Sequence, residues 1–361
     1  LPTSGSKQSM KFKNCEGCGK EKRRPYKYSQ AQWDEFKYCS KRCLGDSKIN
    51  PDKKPPRKRI AFVWQGISDP QVLNQWNDGL REAMRLLTFK YKVLFYEPFH
   101  EIENADLILY WEAPVTAQGQ NGPYYNKVRQ NPIKKALLFA GGPIKREWVS
   151  GFDLLFLESK INERECDELG IRWKHAFGIN DKNFKFSKKE NPKKYWDGML
   201  AGTGASWKRQ WLIGEALGNR ALLMGRDQET DSMPFRVCRE QGATVMGEQS
   251  SSFVARCLRE SHTCVNPCDY WGGGQRATLE AMAMGVPVVV CNDSPKNIEF
   301  VEASGFGRIV DPSAQSIKEA VEDLKANPLD PLIGVNYVKS KWSAKIYAEQ
   351  LISGIEEILH D

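Results

Sequence analysis

Long apolar runs are missing from this 361-residue chain, and histidine is scarce, with four copies. A membrane-spanning helix needs about 20 consecutive apolar residues, and no run here approaches that length. Leu1 to Ser9 is polar and has none of the apolar core of a secretory leader. Both absences predict a soluble protein of the cell interior, cytoplasmic in location. His100, His175, His262 and His360 stand in no catalytic context, and His175 reads as structural. Positive charge is lacking as well over most of the chain. Beyond residue 59 there are 36 Lys and Arg against 39 Asp and Glu, whereas residues 1–59 hold 17 against 6. The net charge of +8 therefore comes entirely from the N-terminal sixth. Basic charge gathered in one module points to a polyanion such as nucleic acid, or else to a solvated tail that aids solubility.

The ten cysteines fall into two groups. Cys15, Cys18, Cys39 and Cys43 crowd the basic segment as C-x2-C and C-x3-C pairs with 20 residues between them. Tetrahedral zinc takes four thiolates from two such knuckles, and Gly17 and Gly19 allow the tight turn around Cys18. So short a segment buries little core, so a structural Zn2+ supplies most of its folding energy. Four protein ligands leave no open position for catalysis. The other six cysteines are scattered, mostly within apolar runs, and read as free thiols in a reducing compartment. Arg23, Arg24, Lys27, Lys41 and Arg42 are the candidate nucleic-acid contacts. They interleave with Tyr26, Tyr28, Trp33 and Tyr38, which stack on bases or form the module's small core. The motif resembles the CxxCGK…YCSxxC treble-clef or ribbon fingers attached to viral and phage nucleic-acid enzymes. NPDKKPPRKR follows as a tether and completes a module over 1–57.

From Arg59 onward, short apolar runs alternate with segments of helical spacing, which argues for parallel sheets covered on both faces. RIAFVW, YKVLFYE, ADLILYW, KALLFAG and DLLFLES read as strands of a first Rossmann-like domain over 58–180. The charged, aliphatic-poor NDKNFKFSKKENPKKYW reads as a linker. DGMLAGTG, RALLMG, ATVMG, HTCVNP, VPVVVC and GRIVDP supply a second such domain over 195–330. In the C-terminal segment, 331–361, WSAKIYAEQLISGIEEIL has amphipathic helical spacing.

The most specific stretch is NPCDYWGGGQRATLEAMAMGVPVVVC. Gly272, Gly273 and Gly274 precede a helix starting near Gln275 or Arg276, and leave backbone amides open to phosphate or sugar oxygens. Glu280, one to two turns into that helix, suits ribose hydroxyls. LEAMAMGVPVV, with NIEFV and GRIVDP at later distances, resembles the donor-binding half of the GT-B glycosyltransferases, particularly the retaining GT4-like group. The resemblance implies an α/β chain with GT-B architecture: two Rossmann-like domains facing a cleft, and a C-terminal helix returning to the first. It implies a nucleotide-sugar substrate, UDP-sugar foremost, held by Gly273, Gly274, Gln275, Arg276 and Glu280, with no catalytic metal. LAGTGASWKRQW matches the family's strand-G-R/T…K-G element, which puts Lys208 on the donor pyrophosphate and Arg209 beside it. VMGEQSSSF matches the region lining the nucleotide base. The family's paired acids stand eight residues apart, and eight before Glu280 is Gly272. Asp269 is the nearest catalytic candidate, contacting the donor sugar's hydroxyls or capping the loop. The family's first-domain histidine is also missing, since that location reads FAGGP.

These readings predict a glycosyltransferase, retaining by resemblance. The basic finger makes DNA the expected acceptor, in the form of a hydroxymethylated base as in bacteriophage DNA modification, inside the bacterial host. A surface polysaccharide, protein or lipid acceptor is the alternative. Two further rivals are an enzyme that processes sugar nucleotides without an acceptor and a non-catalytic DNA-binding protein with a decayed transferase domain. Base extrusion would call for aromatics such as Tyr110, Trp111, Tyr124 or Tyr125, which read instead as packing.

Overall fold

The computed structural model describes residues 12–14, 21–23, 57–64, 79–112, 122–139, 142–188, 192–226, 233–270 and 275–360. The chain divides into two compact units, Leu1–Arg57 and Lys58–Asp361. In the first, β1 (Phe12–Asn14) pairs antiparallel with β2 (Glu21–Arg23), which puts Arg23 on a strand opposite Phe12. Cys15, Cys18, Cys39, Cys43, Arg24, Lys27, Lys41 and Arg42 lie outside the described residues. Among the described residues no group of His, Cys, Asp and Glu is arranged to hold a metal.

The second unit opens with six parallel strands: β3 (Arg59–Val63), β4 (Lys92–Tyr96), β5 (Leu107–Glu112), β6 (Lys135–Phe139), β7 (Leu154–Leu157) and β8 (Trp173–His175). Their order across the sheet is β4-β3-β5-β6-β7-β8. Period-2 side-chain alternation splits each central strand between two cores. Ile60 and Phe62 pack on one face, while Ala61 and Val63 pack on the other. That double coverage is why LLFL, and KALLF after its leading Lys135, are apolar and buried throughout. The connecting helices are α1 (Gly79–Leu87), α2 (Gly122–Gln130), α3 (Arg146–Val149) and α4 (Glu163–Leu169). β8 has no counterpart among the apolar runs of the sequence. It is three residues long and half-buried, so it carries no apolar signature.

A second parallel sheet comprises β9 (Trp196–Ala201), β10 (Ala221–Met224), β11 (Thr244–Met246), β12 (Ser261–Asn266), β13 (Val288–Cys291) and β14 (Gly307–Val310). Its order is β11-β10-β9-β12-β13-β14. The chain moves outward from β9 through β11, then returns to the other side of β9 as β12. Helices α5 (Trp211–Leu217), α6 (Met233–Glu240), α7 (Ser251–Arg259), α8 (Gln275–Ala283), α9 (Pro295–Ser304) and α10 (Ala314–Ala326) cover this sheet. α11 (Pro331–Lys341) follows, with its Gly334 pressed against Phe306 and the carbonyl of Met282. α12 (Ala344–His360) then crosses to the first sheet, where Tyr347, Leu351 and Ile355 share a core with Leu80, Met84 and Leu87 of α1. The crossing is pinned by the Ile179 amide donating to the Trp342 carbonyl at 2.8 Å and the Ala344 amide donating to Asp181 Oδ1 at 3.1 Å. The six described cysteines are all free and buried, in keeping with reduced thiols. Among the described residues, no helix is long and apolar enough to cross a membrane.

Candidate functional site

The reversal of strand order between β9 and β12 opens a crevice at their carboxyl ends, the place where doubly wound sheets take ligands. After β9 the chain passes Gly202 and Gly204 into a 3-10 turn, Ser206–Lys208. After β12 it runs Pro267, Cys268, Asp269. The two loops are joined by the Asp269 amide, which donates to the Trp207 carbonyl at 2.9 Å. Gly225, at φ +150°, ends β10 so close to β9 that a Cβ there would lie 2.0 Å from the Gly202 carbonyl oxygen. Only glycine permits that approach. The resulting cleft is lined by Gly202, Thr203, Arg226, Glu248, Arg276 and Glu280.

Lys208 ends the 3-10 turn after β9, and its ammonium has no hydrogen-bond or ion-pair partner among the described residues. A Cβ added to Gly202 would lie 3.2 Å from it. Burial pushes its pKa down, the Cys268 thiol opposes that, and the nearby Arg276 guanidinium pushes it down further. Arg276 in turn lies one helical turn from Glu280 on α8, Nε to Oε1 3.8 Å. Arg209 is differently placed. Its guanidinium donates to both oxygens of Asp293 at 2.8 and 2.7 Å, and its Nε donates to the Pro267 carbonyl at 2.8 Å. Among the described residues it is the one non-glycine at positive φ, +47°. Its side chain therefore ties together the loops after β9, β12 and β13.

Beneath the crevice runs a buried polar network that the sequence does not announce. Cys268 Sγ donates to Asn266 Oδ1 at 2.8 Å, and Asn266 Nδ2 donates to Thr278 Oγ1 and Asn297 Oδ1 at 2.9 and 3.2 Å. Thr278 Oγ1 donates to Asn297 Oδ1 at 2.8 Å, and Asn297 Nδ2 donates to Ser294 Oγ at 2.9 Å. Fully satisfied networks of this kind fix geometry, and this one locks the end of β12 to α8 and to the start of α9. Burial pushes the Cys268 thiol up to about 11, which keeps it a neutral donor.

Lys208, Arg276 and Glu280 are thus brought together, with Asp269 at the edge. Gln275 is the first residue of α8, while Gly272, Gly273 and Gly274 lie outside the described residues. Glu248, within the stretch matched to the base-lining region, joins the cleft wall. The first domain reaches the same region. The Lys160 amide, past the end of β7, donates to Glu299 Oε2 on α9 at 3.4 Å. Tyr110 and Tyr125 are buried core residues, and Trp111 packs on Trp64 at 5.2 Å between ring centroids. Tyr124 differs from them in being exposed.

Residues 212–327 match the family model described as glycosyl transferases group 1, a span inside the second domain. No curated protein matches the chain by sequence. Among solved structures, sucrose-phosphate synthase of Thermosynechococcus elongatus aligns with TM-score 0.65 at 14% identity, covering 84% of this chain and 100% of that one. A glycosyltransferase of Rickettsia africae ESF-5 aligns at 0.64 and 12% identity, covering 84% and 99%. Anabaena HepE, solved with UDP and glucose, aligns at 0.60 and 14% identity, covering 82% and 99%. The chain therefore has the GT-B fold, and its second domain carries the glycosyl transferases group 1 match.

Proposed function

We propose that the protein transfers a sugar from a nucleoside diphosphate sugar, UDP-sugar foremost, to a hydroxymethylated base in DNA, with retention of configuration. The observation that carries the donor half is the convergence of Lys208, Arg276 and the start of α8 on the β9/β12 crevice. Breaking the glycosidic bond leaves negative charge on the departing diphosphate. Preorganised cations and helix N-terminal amides lower the energy of that charge. Glu280 accepts hydrogen bonds from the ribose hydroxyls, and Asp269 meets the hydroxyls of the donor sugar. The likeness to HepE, which was solved with UDP and glucose, supports uracil as the base. The acceptor half rests on the charge of residues 1–59, 17 basic against 6 acidic, and on the Cys15, Cys18, Cys39, Cys43 quartet, whose thiolates suit one structural Zn2+.

The test is transfer of labelled sugar from a panel of UDP-sugars to duplex DNA bearing unmodified, hydroxymethylcytosine or hydroxymethyluracil bases. Label is expected in hydroxymethylated DNA, and it should fall by about 100-fold or more for Lys208→Ala, the scale of removing one transition-state charge contact. Donor turnover without labelled DNA would overturn the acceptor and redirect it to a polysaccharide, protein or lipid. No turnover of any sugar nucleotide would overturn the donor half too.

A further inference from the structure

Lys296 lies in the first turn of α9 and is 4% exposed. Lysine is almost never fully buried unless paired, yet this ammonium has no hydrogen-bond or ion-pair partner among the described residues. Burial pushes its pKa down, opposed by Glu158 at the end of β7 and by the Cys268 thiol. Both neighbours follow the carboxyl end of a strand, Glu158 after β7 and Cys268 after β12. The Asn266–Thr278–Asn297–Ser294 network holds α9 in that register, since Asn297 is the next residue. A desolvated charge held so firmly costs stability, which a bound anion would recover.

The sheet order says which anion. β12 lies between β9 and β13. Lys208 follows β9 and Lys296 follows β13, so the segments that carry them flank the end of β12, and the Cys268 thiol acts on both. In the cleft wall Arg226 follows β10 and Glu248 follows β11, while Arg276 and Glu280 come from α8, and Lys296 is not part of it. A nucleotide seated with its nucleoside in that cleft runs its phosphates past Lys208 toward β13. We propose that Lys296 binds the distal phosphate of the nucleoside diphosphate, opposite Lys208, an inference that rests on the donor site proposed above.

Calorimetric binding of UDP and of UMP to the full chain tests this, with wild type, Lys296→Met and Lys296→Arg. Removing a charge-assisted contact should weaken UDP binding about 10- to 100-fold, leave UMP binding nearly unchanged, and be partly rescued by arginine. The melting temperature of ligand-free Lys296→Met should equal or exceed that of wild type, because an unpartnered buried charge has been removed. Equal UDP affinity in wild type and Lys296→Met would overturn the assignment. So would an equal loss for UDP and UMP together with a lowered melting temperature, which marks a structural lysine. Wild type that binds neither nucleotide would overturn the donor site itself and this inference with it.

Discussion

Lys208 and Arg209 are sequence neighbours, and motif matching assigns both to the donor. Their surroundings separate them. Lys208 has no side-chain partner among the described residues, whereas Arg209 is neutralised by two hydrogen bonds to Asp293 and anchored by a third to Pro267. Arg209 also occupies a left-handed backbone conformation that costs an L-residue about 1–2 kcal/mol. Its side chain must be worth more than that strain. Replacing it by alanine keeps the strain and loses the contacts, while glycine loses the contacts and relieves the strain. Arg209→Gly should therefore melt above Arg209→Ala, by an amount near 1 kcal/mol in unfolding free energy. The reverse order would show that the local backbone, and not the side chain, sets the conformation.

Elements were legible in the sequence wherever burial was continuous. VVVC and LLFL are apolar because helices cover both faces of their sheets, so each reads as a strand at sight. β8 was not legible, since an edge strand with half-buried Trp, Lys and His alternates too little to announce itself. The site was legible in part. The glycine run and Glu280 follow a local order, but the Asn266, Thr278 and Asn297 network and Lys296 join positions that only the sheet order brings together. The link between α1 and the interdomain segment is another contact distant in sequence. Glu82 takes a two-pronged hydrogen bond from Arg85, 2.8 and 2.6 Å, and also binds Lys182. The Arg85 hydrogen bond lowers the Glu82 pKa from 4.5 to about 2, against the effect of burial. A depressed carboxylate pKa adds stability that is complete above the unfolded value and lost as pH falls toward the folded one. Glu82→Gln should lower the urea midpoint at pH 7, and the gap from wild type should narrow as pH drops from about 4.5 toward 2. A gap independent of pH would place the role of Glu82 in packing.

At the scale of the whole molecule, charge is partitioned as sharply as fold. Residues beyond 59 are close to neutral, with 36 basic and 39 acidic side chains, so the proposed DNA acceptor is expected to meet the N-terminal module. Binding through phosphate contacts weakens steeply with salt as counterions are released. The 361-residue chain should bind duplex DNA with a steep salt dependence, and deletion of residues 1–57 should abolish that binding while leaving nucleotide binding intact. Salt-dependent DNA binding that survives the deletion would move the nucleic-acid surface to the GT-B unit.

The measurement that bears most directly on the donor site is a crystal structure of the protein with UDP. The expectation is a diphosphate in the β9/β12 crevice, beside Lys208 and the first turn of α8, with the ribose hydroxyls at Glu280. UDP bound elsewhere, or with its phosphates turned away from Lys208, would contradict it.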